Sequence, residues 1–219
     1  HPCVTKVGVT CYKYVGHVFP YVDPIYFYFA MMKFNNEYTQ KLLAAEDIFF
    51  KMFEANGRRL RGDCSSYLYS HRTNLGMHFN FDTYRKQLLL YEVARNATNV
   101  LEIGTYLAHS TLIMLLANPR LNIVTIDQHA TYSIKPVGVL QKHFPDASIQ
   151  FVCGKSLDVL PTQQGPFDFF HVDGSHDDDI VMQELQLCLS IRDQSRPTSF
   201  ILDDFKGIPK SQEFLLSNF

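Results

Sequence analysis

The 219-residue chain contains no tryptophan, and its 11 glycines and 10 prolines form no repeat or low-complexity tract, which excludes a collagen-like or disordered chain. Strong charge of either sign is also missing. A net charge of −2 creates no global attraction to phosphate backbones, so nucleic acid is not an expected partner. The five cysteines, Cys3, Cys11, Cys64, Cys153 and Cys188, are odd in number, scattered and without a C-x-x-C pair. That excludes a disulfide framework and a zinc site, and it points to a reducing cytoplasm. No long apolar run exists. Tyr26-Phe-Tyr-Phe-Ala-Met-Met32, bracketed by Asp23, Pro24 and Lys33, is too short to cross a bilayer and reads as core or interface, so no membrane partner is expected. The absence of tryptophan beside 18 phenylalanines and 12 tyrosines has no mechanism we can name. What remains, 46% hydrophobic and 19% charged residues, is a globular composition. The length suits one domain with an elaborated end or a small appendage, acting on a small molecule.

The first part of the chain is irregular. Residues 1–24 alternate β-branched and aromatic side chains up to Pro20 and Pro24, predicting one or two short strands. Residues 37–56 carry Leu42, Leu43, Ala45, Ile48, Phe49, Met52 and Phe53 at helical spacing, which predicts one amphipathic helix ending near Gly57. Arg58, Arg59 and Arg61 then read as a solvated helix end favoured by the dipole, not as an anion site. Residues 62–82 are loop-like. Residues 1–81 therefore form an N-terminal extension, expected to act as a lid, an acceptor-binding element or a subunit contact, with a homo-oligomer left open.

Residues 82–219 are regular. A helix from Tyr84 to Arg95 precedes five apolar strands, Val100–Ile103, Ile123–Ile126, Ile149–Val152, Phe167–Val172 and Ser199–Leu202. Helical segments at 110–117, 136–144 and 178–192, and a turn near 157–160, fill the gaps. This alternation predicts an α/β fold with a doubly wound, mostly parallel sheet and helices on both faces. A ligand then binds outside the carboxyl ends of the strands.

The residues at those strand ends are polar. In Asn99-Val-Leu-Glu-Ile-Gly-Thr-Tyr-Leu-Ala-His-Ser-Thr111 an apolar strand meets Glu102, a glycine turn at Gly104 and a new helix whose N-terminus offers free N–H groups, a junction suited to nucleotide-like cofactors. Ile123-Val-Thr-Ile-Asp127 ends in an acid at the separation where such folds place a ribose-binding carboxylate. Gln128 and His129 follow it. The third strand runs into Cys153-Gly-Lys-Ser156, the fourth into Asp173-Gly-Ser-His176 and the fifth into Asp203-Asp204. Asp177, Asp178 and Asp179 read as caps of the next helix.

Asp173 and Asp203 stand at the tips of sequential, neighbouring strands and would repel each other. Either one is protonated or a cation sits among Asp173, Asp203 and Asp204. Three carboxylates with open positions suit a hard divalent ion such as Mg²⁺. His176 shares the Asp173 loop, and histidine titrates near neutral pH, so it could accept a proton from a hydroxyl held there.

With these residues the chain resembles the class I S-adenosylmethionine-dependent methyltransferases, and more narrowly the metal-dependent small-molecule O-methyltransferases, from about Asp82 to Asp204. Residues 101–110 resemble the family's first motif, whose acid and glycine turn contact the methionine end of the cofactor. Residues 125–127 resemble the second, whose acid grips the ribose, and 154–158 the loop flanking the adenine. Phe167-Asp-Phe-Phe-His-Val-Asp-Gly-Ser-His176 resembles the fourth-strand motif of the macrolide-sugar O-methyltransferase group, in which the aspartate ligates Mg²⁺ and the histidine is the proposed base. Ile201-Leu-Asp-Asp204 stands where the family supplies the other ligands.

The resemblance implies a Rossmann-like methyltransferase sheet, S-adenosylmethionine and Mg²⁺ as cofactors, and O-methylation of a sugar, phenol or similar hydroxyl. It implies cofactor contacts from Glu102, Gly104, Thr105, Tyr106, Ser110, Asp127, Gln128, Ser156, Leu157 and Asp173. Asp173 and His176 are the implied catalytic pair, and Asp173, Asp203 and Asp204 the implied metal ligands. Three departures stand out. Ala108 replaces a usual glycine, the acid pair is Asp-Asp, and the family's last two strands are expected to be missing because the chain reads as a fragment, cut at His1 and Phe219. Two other readings compete: a methyltransferase-like domain that only binds, and an NAD-dependent oxidoreductase. The second lacks G-x-G-x-x-G after the first strand and would set Glu102 against a pyrophosphate.

Overall fold

The computed structural model describes residues 3–6, 9–12, 36–58, 81–203 and 207–218. In chain order they form strands β1 (Cys3–Lys6) and β2 (Val9–Tyr12), then helices α1 (Glu37–Ala44), α2 (Glu46–Ala55) and α3 (Phe81–Ala94). Strand β3 (Asn99–Ile103), helix α4 (His109–Ala117), strand β4 (Asn122–Asp127), helix α5 (Ala130–His143) and strand β5 (Ser148–Cys153) follow. A short helix α6 (Ser156–Val159) continues as a 3₁₀ turn, Leu160–Thr162, before β6 (Phe169–Val172), α7 (Asp178–Ser190), β7 (Thr198–Leu202) and α8 (Pro209–Asn218).

The strands make one sheet in the order β1-β2-β7-β6-β3-β4-β5. All neighbours run parallel except β1 and β2. From β3 the chain winds outward through β4 and β5, then returns to the other side of β3 for β6 and β7. The β3–β6 boundary is therefore the point where winding reverses, the place where open α/β sheets leave a crevice for a ligand. Beyond β7 the edge is built by β2 and β1, from the start of the chain. The strands expected within residues 1–24 supply it.

Strand periodicity divides the interior into two layers. Val100, Ile123, Ile149, Phe169 and Ile201 join Leu112, Val137, Leu140 and Tyr91 on one face. Leu101, Ile103, Ile126, Phe170, Val172, Phe200 and Leu202 meet Val181, Leu185 and Leu215 on the other. Successive strand residues point to opposite faces, and helices cover both, as a parallel sheet requires. Phe170 and Phe200, opposite each other in the β6–β7 register, stack at 4.7 Å and 15°, a pair worth roughly 0.5–1.5 kcal/mol beyond its buried area.

Three local expectations need correction. The helix predicted over 37–56 is broken at Ala45, whose φ of −87° and ψ of 7° end α1 and start α2. Tyr38, Leu42, Phe49, Met52 and Phe53 from both pieces enter the buried cluster shared with α3, α4 and α5; burying each such side chain contributes roughly 1.5–3 kcal/mol. The helix predicted from Pro136 begins at Ala130, with the proline inside it. Proline is favoured at a helix start, which made it read as one, but here the segment before it is already helical. The fourth strand starts at Phe169 rather than Phe167, because the buried Asp168 carboxylate turns aside to accept the backbone N–H groups of Thr98 and Asn99. Asp177 does cap α7, accepting from the N–H groups of Asp179 and Ile180. Arg58 pairs with Glu54 at 2.9 Å across an exposed helix end. Arg59, Arg61 and the Tyr26–Met32 run lie outside the described residues. No described helix is long and apolar enough to cross a membrane.

Candidate functional site

Gly104 fixes the crevice. Its φ is +96°, and a Cβ there would lie 2.1 Å from the carbonyl oxygen of Asp173, so the turn after β3 can press against the loop after β6 only without a side chain. The Gly104 N–H donates to Ile126 O at 2.8 Å, and the Asp173 N–H donates to Ile103 O at 2.8 Å. The chain then passes through two left-handed residues, Tyr106 at φ 42° and Ala108 at φ 58°, before α4 begins. Each costs roughly 1–2 kcal/mol relative to right-handed backbone. The positive φ gives the physical reason for a usual glycine at the Ala108 position. The turn is held by Tyr106 N–H donating to Asp127 Oδ2 at 2.7 Å and by Ala108 N–H donating to Thr105 O at 2.7 Å.

Register builds a polar row beneath this turn. Glu102 lies opposite Thr125 of β4 and opposite His171 of β6. Its Oε1 accepts from Ser110 Oγ at 2.5 Å and faces His171 Nδ1 at 3.2 Å. Its Oε2 accepts from the hydroxyls of Thr111 at 2.6 Å and Thr125 at 2.7 Å. Glu102 is fully buried. Burial alone would push its carboxyl up, but the His171 imidazole and the Ser110 and Thr111 hydroxyls outweigh that and hold it below the usual carboxylate value. His171 is 1% exposed, and its Nε2 has no hydrogen-bond partner among the described residues.

Above the row opens a cavity of about 1080 Å³. Of the site residues read from the sequence, Gly104, Thr105, Tyr106, Ser110, Asp127, Gln128, Ser156, Leu157, Asp173, His176 and Asp203 all line it. Glu102 stands behind the wall instead, linked to the cavity through Ser110 and His171, which do line it. Asp204 lies outside the described residues. The half-buried Asp127 is oriented by two backbone donors, Tyr106 N–H on Oδ2 and His129 N–H on Oδ1 at 2.8 Å. Each oxygen keeps a lone pair for a further donor.

Several lining residues escaped sequence reasoning. Glu184 of α7 is fully buried and accepts the hydroxyl of Ser156; burial pushes its carboxyl up to about 6. His109, packed at 5.2 Å against Phe49, is pushed down to about 4 by burial. His171 carries a faint signal, a polar residue inside an apolar strand. Lys86 carries none, since nothing in the sequence of α3 relates it to a strand end far along the chain.

Lys86 bears directly on the metal expectation. Its side chain is 11% exposed; the ammonium contacts Asp203 Oδ2 and lies 3.7 Å from Asp173 Oδ2. Of the two alternatives, a protonated acid or a cation, the arrangement has a cation against both Asp173 and Asp203, and it is the protein's own. Among the described residues no group of three or more His, Cys, Asp and Glu side chains could hold a metal ion. Asp173, Asp203 and Lys86 as arranged do not fit a divalent ion, because the ammonium occupies the space between the two carboxylates.

Residues 101–204 match the methyltransferase domain family. The O-methyltransferase hkm8 of Aspergillus hancockii is 27% identical over 93 residues, 42% of this chain and 37% of that protein. Among solved structures, cofactor-bound Rv0187 from MTB is similar with a TM-score of 0.52 and 20% identity, over 78% of this chain and 76% of that one. The O-methyltransferase from Bacillus cereus in complex with SAH gives 0.48 and 18% identity, over 67% of this chain and 62% of that one. The chain thus spans 37% of the curated relative's length. Its fold, its crevice at the winding reversal and the match over residues 101–204 agree in one likeness: the chain is similar to methyltransferase domains.

Proposed function

We propose that this chain transfers a methyl group from S-adenosylmethionine to a hydroxyl of a small acceptor. The observation that carries the reading is the cavity at the β3–β6 reversal. It has Asp127 on one side, and Asp173 and His176 on the other. When bound, S-adenosylmethionine supplies an electrophilic sulfonium methyl; all else falls to the protein.

Asp127, held by the Tyr106 and His129 N–H groups, accepts the two ribose hydroxyls. The Gly104–Tyr106 backbone would hold the sugar and methionine, and Gln128, Ser156 and Leu157, which line the same cavity, would hold the base. Ser110 and Thr105 would hold the methionine end. Glu102 acts there indirectly, anchoring Ser110 and His171, a refinement of the direct contact expected from sequence. The acceptor hydroxyl approaches from the Asp173 side, and exposed His176 takes its proton as the oxygen attacks in line. We assign the acceptor-facing lid to the N-terminal extension. No step is assigned to a metal, because the described acids do not fit one.

Calorimetric titration tests the reading. S-adenosylhomocysteine is expected to bind and NADH is not; the reverse would favour an oxidoreductase. Transfer of a labelled methyl group to a panel of sugars and phenols, lost in His176→Ala with cofactor binding kept, separates an enzyme from a domain that only binds.

A further inference from the structure

Two carboxylates at neighbouring strand tips, Asp173 and Asp203, face one ammonium group, that of Lys86. The three line the same cavity as His176. Lys86 reaches this place from α3, the helix just before the first strand of the winding. Its side chain is almost withdrawn from solvent, where ion pairs are screened little and a bare carboxylate pair would be costly.

We propose that Lys86 is the resident cation of this site, standing in the place of a divalent ion, so that the methyl transfer proceeds without a metal. The proposal rests on the methyltransferase reading above. Lys86 ties Asp173 to Asp203, which fixes the loop after β6 on which His176 stands, and it lends positive charge to the acceptor oxygen. In the transfer, a new oxygen–carbon bond forms as the sulfur–methyl bond breaks. Sulfur keeps the electron pair and becomes a neutral thioether, and the hydroxyl proton passes to His176. The negative charge that grows on oxygen as that proton departs ahead of oxygen–carbon bond formation is met by the ammonium group, the task a metal performs elsewhere.

The experiment pairs Mn²⁺ binding, followed by electron paramagnetic resonance, with methyl transfer in excess EDTA, using the wild type, Lys86→Ala and Lys86→Arg. S-adenosylhomocysteine binding is measured on the same samples. Wild type and Lys86→Arg are expected to leave Mn²⁺ free and to work equally well with and without EDTA. Lys86→Ala is expected to lose transfer by about 10²-fold, to keep S-adenosylhomocysteine binding and to acquire Mn²⁺ affinity at the vacated acids. Wild-type Mn²⁺ binding that Asp173→Asn removes would overturn the proposal, as would wild-type transfer abolished by EDTA. So would Lys86→Ala with undiminished transfer or without gained Mn²⁺ affinity. The wild-type measurements need no variant to fold. Absent S-adenosylhomocysteine binding would instead count against the methyltransferase reading, since Mn²⁺ exclusion is read independently of it.

Discussion

Glu102 and His171 face each other across the β3–β6 register, 3.2 Å apart, with both side chains essentially out of solvent. This pair, with the Ser110, Thr111 and Thr125 hydroxyls on the same carboxylate, joins three strands and one helix beneath the cavity floor. A buried carboxylate so surrounded costs little while all its partners remain, and much when one is removed.

Glu102→Ala is therefore expected to destabilise the fold by about 3 kcal/mol, leaving three hydroxyls and an imidazole without their acceptor. Glu102→Gln, which keeps one acceptor oxygen, should cost about half as much. Urea unfolding curves compared at one pH measure both. Equal, near-zero effects would mean that the row contributes nothing to stability.

Gly104→Ala should be worse tolerated than its size suggests. The added Cβ would meet the Asp173 carbonyl oxygen at 2.1 Å and require a backbone φ of +96°, so β3 and β6 must part at the crevice. A loss of about 3 kcal/mol is expected, together with loss of S-adenosylhomocysteine binding. A variant with wild-type melting temperature and affinity would show that this close approach is dispensable.

His109 gives the fold a pH dependence of definite sign. Burial holds it near 4 in the folded chain against an ordinary 6.5, so between these values the unfolded chain takes up a proton that the folded one refuses. Its effect is absent above pH 6.5, and stability falls as pH drops toward 4, by up to about 3 kcal/mol. Glu184 acts oppositely. Its carboxyl is raised by burial from 4.5 to about 6, so its contribution is lost as pH rises through that interval. Comparing wild type with His109→Phe, which keeps the packing on Phe49, isolates the first effect. The variant's stability should decline less between pH 6.5 and 4; parallel curves would contradict the assignment.

The strands were legible because each is a short apolar run with a polar end. That same logic reached Gly104, Asp127, Asp173 and His176, which stand at strand ends where position follows directly from topology. Glu102 was legible as an acid but not in its direction, since only register reveals that Thr125 and His171 flank it and turn it inward. Pro136 misled the reading of α5 because proline marks a helix start more often than an interior. Repulsion between Asp173 and Asp203 left either a protonated acid or a cation, and the cation expected was a divalent metal. Lys86 was out of reach, because it meets those acids only through the packing of α3 against the sheet.

The central claim is a nucleoside cofactor held in the β3–β6 crevice by Asp127, and calorimetric titration with S-adenosylhomocysteine of wild type beside Asp127→Ala tests it most directly. The account predicts saturable binding by the wild type and affinity weakened by about 10²-fold in the variant, as expected for losing two hydrogen bonds to a charged acceptor. No binding by the wild type, or equal affinity in the two proteins, would contradict it.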